Sequence, residues 1–252
     1  MVGGLERFRD HFREHVRKYA LIGGAACDLV MEQAGLQFRA TKDLDIVLSV
    51  EALDASFVRA FWEFVRAGKY HVQQSATGER RYYRFLKPEK DEYPFMLELF
   101  ARKPDMLDLA EGAHLTPIPV DEEISSLSAI LMDDAYYAFL HSGKRTIEGI
   151  SIVGPEHLIP LKARAWVDLT GRKRAGEAVD AKSIAKHKND VFRLYRLLDP
   201  AFKTIIPKKI REDMGVFLDA MKSESVNLKN LGINDQGLES LLGELRRLYS
   251  RE

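Results

Sequence analysis

The chain has 252 residues, of which 46% are hydrophobic and 30% charged, and this composition excludes a mainly disordered protein. Its 38 basic and 38 acidic side chains give a formal net charge of zero, which argues against uniform coating of a polyanion but allows a local basic surface. A single cysteine excludes an intrachain disulfide. No apolar run approaches the ~20 residues that span a bilayer, and the N-terminal residues lack a signal-peptide core. We therefore expect a cytoplasmic protein without membrane contact.

Charge is distributed unevenly along the chain. Residues 88–135 carry a net charge of −9, and residues 155–212 carry a net charge of +7. This separation indicates two functionally different surfaces, although solvent-exposed faces alone can produce it.

The first 150 residues combine helical and strand-like patterns of apolar residues, which predicts a mixed α/β domain. In chain order the predicted elements are a helix over 5–16, a strand over 19–22, a helix over 25–33, a strand over 43–50, a helix over 51–67, strands over 70–74, 80–86, 94–101 and 126–132, a helix over 135–141 and a hairpin over 144–153.

Helical periodicity dominates after Gly154-Pro155. The predicted helices cover about 156–169, 180–198, 206–222 and 235–249. We therefore predict an α+β fold, in which a mixed β-sheet flanked by helices (residues 1–150) is followed by a C-terminal α-helical domain (residues 151–252).

Two aspartates, Asp43 and Asp45, begin the strand predicted over 43–50. Because side chains alternate along a strand, both carboxylates share one face and the apolar residues between them share the other. Neighbouring carboxylates repel, and a divalent cation that prefers oxygen ligands, Mg²⁺ or Mn²⁺, would relieve the repulsion. Taken alone, the pattern also fits an exposed acidic strand start.

Gly23 and Gly24 separate the strand over 19–22 from the next helix. Glycines at a helix N-terminus expose backbone N–H groups that can cradle a phosphate. A tight turn that merely requires glycine is the alternative. A phosphate cradle combined with an acidic metal site predicts nucleotide chemistry.

The runs Ile22-Gly23-Gly24-Ala25 and Thr41-Lys42-Asp43-Leu44-Asp45-Ile46 resemble the signature of the DNA polymerase beta-like nucleotidyltransferase superfamily. The resemblance implies a nucleotidyltransferase-like sheet in residues 1–150 as the catalytic domain. It also implies an NTP substrate and metal binding by Asp43 and Asp45. The nucleotide-binding residues that it implies are Gly23, Gly24, Thr41 and Lys42.

The same superfamily takes a third carboxylate from a later strand. Glu98 fits this description because it is the only charged residue in the apolar run 95–100. A lone buried carboxylate is costly unless it is paired or binds a metal. Glu98 is therefore expected to be a metal ligand or the base that deprotonates the acceptor, and the alternative is a salt bridge to an arginine such as Arg84.

Segments 156–165 and 180–194 resemble the helical half of the AbiEii/AbiGii-type branch, which includes toxins of bacterial toxin–antitoxin systems. This resemblance covers about residues 18–200. It implies that Lys162 acts in catalysis by neutralising the triphosphate, and that a toxin would have a cognate antitoxin as partner. The chain departs from the branch at Ser183, where an acid is expected, so Asp180 becomes the nearer candidate for contacting the nucleotide and orienting Lys162.

Lys162 shares a helix face with apolar residues, so its ammonium group either extends to solvent or is directed at an anion. A triphosphate between the domains would be such an anion. Further basic residues lie at 172–174, in a predicted loop, and at 182–188 on the next helix. They fit either the binding of an RNA backbone or a solvated helix face.

These features predict a metal-dependent nucleotidyltransferase that moves an NMP from an NTP to an acceptor. A toxin-like role would make the acceptor tRNA, another RNA or a protein, and a resistance-type role would make it a small hydroxylated antibiotic. The alternative from a different class is a non-catalytic nucleotide-binding or regulatory protein of the same fold.

Overall fold

The computed structural model describes residues 2–74, 80–103, 115–117, 128–199, 201–202 and 204–250. The chain divides into two units, Met1–Val153 and Gly154–Glu252, which we call the N-terminal unit and the helical unit. The division falls three residues after position 150.

The N-terminal unit contains the predicted sequence of helices and strands together with one short strand, β6, that the apolar pattern does not indicate. Its elements are α1 (Leu5–Phe12), β1 (Tyr19–Ile22), α2 (Gly23–Gln33), β2 (Asp43–Leu48), α3 (Ala55–Gly68), β3 (His71–Gln74), β4 (Arg80–Leu86), β5 (Met96–Ala101), β6 (Leu115–Pro117), β7 (Ser128–Leu131), α4 (Asp134–Ser142), β8 (Lys144–Ile147) and β9 (Ile150–Val153), with 3₁₀ turns at Arg13–Lys18 and Val50–Ala52.

The strands form one mixed sheet in the order β3-β4-β5-β2-β1-β9-β8, and β7 pairs with both β5 and β6. Strand β2 lies parallel to β5 and antiparallel to β1, while β4 lies antiparallel to β5. The predicted fold class, a mixed sheet flanked by helices and followed by a helical unit, is confirmed. The parallel β2–β5 pair places the first half of β2 beside the only charged residue of β5.

One face of the sheet is covered by an aromatic core. Leu44 and Leu97 are fully buried, and Phe85, which pairs with Leu97 across β4 and β5, contacts Phe61 of α3 at a ring separation of 5.4 Å. Helix α1 joins this core through Phe12, whose ring lies 5.4–6.1 Å from the rings of three α3 phenylalanines. Because burial of such a side chain stabilises by about 1.5–3 kcal/mol, this core fixes β2 and β5 and leaves their polar residues on the other face.

The boundaries that differ from the prediction include the starts of α2 and α3 and the end of α1. Helix α2 begins at Gly23, so the two glycines form its first turn instead of preceding it. Helix α3 begins after Asp54, whose carboxylate accepts a hydrogen bond of 3.0 Å from the Phe57 N–H and caps the helix. Helix α1 ends at Phe12, where a 3₁₀ turn takes over.

The helical unit consists of α5 (Pro155–Arg174), α6 (Ala181–Tyr195), α7 (Lys208–Met221) and α8 (Leu238–Tyr249) in its described residues. Its core includes Trp166, whose ring meets Phe217 of α7 edge-on at 5.5 Å. Helix α5 continues to Arg174, so the basic residues 172–174 lie in its last turn and the prediction of a loop there was wrong. Cations at a helix C-terminus are favoured by the helix dipole. Among the helices of the described residues, none has both the length and the apolar character that crossing a bilayer requires.

Candidate active site

The first turn of α2 lies directly against two side chains of the loop and strand that follow it. Gly23 has φ 66°, a conformation that favours glycine, and a Cβ built on it would overlap the carboxylate of Asp45. A Cβ on Gly24 would overlap the hydroxyl of Thr41. Ile22, the N-cap, supplies no side-chain hydrogen bond to the helix N-terminus. The sequence therefore needs glycine at both positions so that a carboxylate and a hydroxyl can approach the backbone.

Asp43 and Asp45 lie on the face of β2 opposite the buried Leu44, as the alternation predicts. Both aspartates are partly exposed. Asp45 is paired with Ile22 of β1 on one side and with Glu98 of β5 on the other. The sheet therefore brings three of the predicted site residues, Asp43, Asp45 and Glu98, together beside the first turn of α2.

Glu98 is 8% exposed and forms an ion pair with Arg84, its partner across β4 and β5. Both Nε and an Nη atom of Arg84 contact Oε1 of Glu98. Burial raises the pKa of Glu98 above its ordinary value, the Arg84 charge opposes this rise, and the charges of Asp45 and Asp43 add to it. The structure thus contains the salt bridge between Glu98 and Arg84, which was the alternative to a catalytic or metal-binding role for Glu98. Asp45 lies beside this pair as the partner of Glu98 on β2.

No three His, Cys, Asp or Glu side chains in the described residues are arranged to hold a metal ion. Asp43, Asp45 and Glu98 therefore do not form a ready three-carboxylate cage. Mg²⁺ is, however, usually bound through one or two carboxylates together with substrate phosphates. Asp43 and Asp45, next to a glycine backbone that a phosphate could approach, fit a magnesium site of this kind.

Arg39 is a residue of the site that the sequence reasoning missed. One of its Nη atoms lies 3.5 Å from the position that a Cβ of Gly24 would occupy, and its guanidinium lies over the Phe38 ring at 5.0 Å. It therefore places a positive charge beside the glycine turn. Its position two residues before Thr41 is the only indication in the sequence. The neighbouring Lys42 is exposed, and its carbonyl accepts a hydrogen bond of 3.0 Å from the Phe95 N–H.

Lys162 and Asp180 belong to the helical unit. Lys162 is 3% exposed, and its Nζ lies 3.3 Å from Oδ2 of Asp190, which is itself fully buried and also 3.4 Å from Arg193. Asp190, rather than Asp180, is thus the carboxylate beside Lys162. The ion pair with Asp190 compensates the charge of the buried Lys162 within the helical unit. Neutralisation of a triphosphate by Lys162 stays a prediction.

Asp180 caps α6 by accepting hydrogen bonds from the N–H groups of Lys182 and Ser183, at 3.1 and 3.2 Å. These bonds lower its pKa. Asp180 and Asp190 are ten residues apart in the sequence, which corresponds to about 15 Å along the axis of α6. Its contact with a nucleotide likewise stays a prediction.

The basic residues of the helical unit differ in their surroundings. Arg172 is paired with Glu177 at 2.8 Å and Lys188 with Glu224 at 2.7 Å, whereas Lys173, Arg174 and Lys182 are exposed. Exposed cations therefore occur both at the end of α5 and at the start of α6. In the acidic segment 88–135, residues 104–114 and 118–127 lie outside the described part of the chain.

Comparisons with known proteins find weak likeness in structure only. No protein-family model matches the chain, and no curated protein matches it either. Among solved structures, it is similar to JHP933 from Helicobacter pylori, at 15% identity and a TM-score of 0.44, with 98% of this chain and 88% of that one covered. It is also similar to the Megavirus polyadenylate synthase, at 12% identity and a TM-score of 0.37 over 88% of this chain.

This chain spans only 36% of the Megavirus protein. A presumed nucleotidyltransferase from H. pylori matches at 15% identity and a TM-score of 0.34, over 98% of this chain and 90% of the other. With every one of these TM-scores below 0.5, the likenesses carry no argument about activity, which has to be argued from the residues of the site.

Proposed function

We propose that this chain is a metal-dependent nucleotidyltransferase that transfers an NMP from an NTP to an acceptor hydroxyl, with the N-terminal unit as its catalytic domain. The observation that supports this best is the contact between the glycine turn and the acidic strand. Because Asp45 lies against Gly23, a phosphate on the backbone of α2 would be within reach of a cation held by Asp43 and Asp45. The motifs that resemble the nucleotidyltransferase signature agree with this reading.

In the proposed reaction, the first turn of α2 holds the phosphates. The N–H groups of its first turn lack intrahelical acceptors, and the helix dipole favours an anion there. Thr41 supplies a hydroxyl at the same turn. Arg39 and the exposed Lys42 supply positive charge. These residues bind and orient the triphosphate.

Asp43 and Asp45 are the residues that would hold Mg²⁺ or Mn²⁺. When bound, the metal stabilises the attacking and leaving oxygens of an in-line displacement at the α-phosphorus. Glu98 either adds a third carboxylate to this cation site or takes the proton of the acceptor hydroxyl. Burial raises the pKa of Glu98, which suits the second role, and its position beside Asp45 on the neighbouring strand suits the first.

RNA is the acceptor that the charge distribution favours. Residues 155–212 carry a net charge of +7, and Lys173, Arg174 and Lys182 of this segment are exposed. Phosphate contacts from such residues would hold RNA without reading its sequence. A toxin acting on tRNA, with a cognate antitoxin, is the most specific form of this proposal.

The test is incubation of the purified protein with each radiolabelled NTP, Mg²⁺ and total cellular RNA. We expect labelled RNA and released pyrophosphate. In the variant Asp43→Asn/Asp45→Asn, we expect transfer to fall by roughly a thousandfold, because the loss of the metal removes several kcal/mol of transition-state stabilisation. Its melting temperature should stay close to that of the wild type.

The matched control is Asp91→Asn/Asp134→Asn, which removes the same charge at two exposed positions and should leave transfer intact. Undiminished transfer in a folded Asp43→Asn/Asp45→Asn variant would contradict the proposal. Titration calorimetry with each nucleotide, with and without Mg²⁺, completes the test. Tight nucleotide binding without pyrophosphate release would identify a nucleotide-binding protein instead.

A further inference from the structure

A row of charged side chains crosses three strands at the candidate site. Arg84 of β4 is paired with Glu98 of β5, and Glu98 is paired in turn with Asp45 of β2. Directly paired residues of neighbouring strands project from the same face of a sheet. The row is therefore one cation followed by two acids, with Asp43 two residues along β2 from Asp45.

Arg84 supplies the cation of this row from within the chain. Its side chain is 33% exposed and the side chain of Glu98 is 11% exposed, so the pair lies between the interior and the solvent. Glu98 thus has the guanidinium of Arg84 on one side and the carboxylate of Asp45 on the other, and the charges of both Asp45 and Asp43 act on it. An external divalent cation and the guanidinium are both attracted to these acids, and they repel each other.

We infer that Arg84 is a positioning residue that acts as a built-in counter-cation, competing with the divalent metal for Glu98. This inference rests on the proposed function, since it assumes that Asp43 and Asp45 hold the metal. Without metal, Arg84 compensates the buried Glu98, which would be costly unpaired. When the metal binds, repulsion weakens the hold of Arg84 on Glu98 and releases this carboxylate for its part in the reaction. Arg84 thereby lowers the affinity of the site for the metal.

The experiment measures Mn²⁺ binding by electron paramagnetic resonance, using the full chain without nucleotide. We expect Arg84→Gln, which keeps a hydrogen-bond donor and removes the charge, to bind Mn²⁺ about tenfold more tightly than the wild type. Arg84→Lys keeps the charge and should bind as the wild type does. The double variant Arg84→Gln/Glu98→Gln should lose the gain, because the released carboxylate is gone.

A second variant covers the case in which Arg84→Gln does not fold. Glu98→Gln leaves Arg84 in place without its counter-charge, so it should bind Mn²⁺ more weakly than the wild type does. Unchanged binding in the folded variants, with binding still abolished by Asp43→Asn/Asp45→Asn, would overturn the inference and leave the proposed function standing. Absence of any Mn²⁺ binding that depends on Asp43 and Asp45 would also overturn the inference, whereas the proposed function is decided separately by the transfer assay with NTP.

Discussion

Each unit of this protein contains a carboxylate held by a basic side chain, and the two pairs differ in what surrounds them. In the helical unit, Asp190 is fully buried and lies near two cations, Lys162 at 3.3 Å and Arg193 at 3.4 Å. In the N-terminal unit, Glu98 is paired with Arg84, and the negative charges of Asp45 and Asp43 also act on it. The first carboxylate thus lies near two cations, whereas the second lies between a cation of β4 and an acid of β2.

This difference separates a structural ion pair from one that suits a ligand. A buried carboxylate with two cations needs nothing from outside the chain, and its loss leaves charge without compensation. Neighbouring acids that are partly exposed, as Asp43 and Asp45 are, repel one another, so an added cation stabilises them and neutralising one of them costs the fold little. We therefore expect Asp190 to serve the stability of the fold, and Asp43 and Asp45 to serve the proposed chemistry.

The largest expected effect is on stability, from breaking the buried pair. Asp190→Asn should lower the free energy of unfolding by about 3–5 kcal/mol, because it leaves Lys162 buried without a counter-charge. Urea denaturation, followed by circular dichroism, measures the change. The double variant Lys162→Met/Asp190→Leu should recover most of the loss, since apolar residues of similar volume replace the pair. If Asp190→Asn is as stable as Asp43→Asn/Asp45→Asn, the distinction between a structural carboxylate and the acids of the candidate site is wrong.

A smaller effect is expected at the glycine turn. Gly23 and Gly35 both have positive φ, 66° and 69°, but a Cβ on Gly35 would meet nothing within 4 Å. Gly35→Ala should therefore cost about 1 kcal/mol through backbone strain alone. Gly23→Ala should cost about 2–3 kcal/mol, because the methyl group also displaces the Asp45 carboxylate.

Nucleotide binding, measured by calorimetry with Mg²⁺, distinguishes these two variants further. Gly23→Ala should lose it, and Gly35→Ala should keep it. Equal nucleotide affinity in both variants would mean that the turn of α2 is not where phosphate binds.

The sequence was sufficient for those features that depend on local pattern. Strand β1 and the acidic face of β2 follow from apolar runs and alternation, and Glu98 is conspicuous as the only charge in an apolar strand. Features that depend on pairing between elements were not predictable in the same way. Arg84 could be named from the sequence as a possible partner of Glu98, but three arginines lie in β4, and only the register with β5 selects this one. Similarly, only the packing of α6 on α5 places Asp190 beside Lys162.

The smallest effect is expected at Asp180, the exposed N-cap of α6. Asparagine caps helices as well as aspartate does, whereas alanine cannot accept the hydrogen bonds from the N–H groups of Lys182 and Ser183. A capping role therefore predicts that Asp180→Ala lowers the melting temperature slightly and that Asp180→Asn does not. Nucleotide affinity should be unchanged in both.

A role for the Asp180 charge in contacting the nucleotide predicts a different pattern. Asp180→Asn would then weaken nucleotide binding as much as Asp180→Ala does, with no matching change in melting temperature. Measuring both quantities on the same two variants decides between the roles, because the cap depends on a side-chain oxygen and the nucleotide contact would depend on the charge.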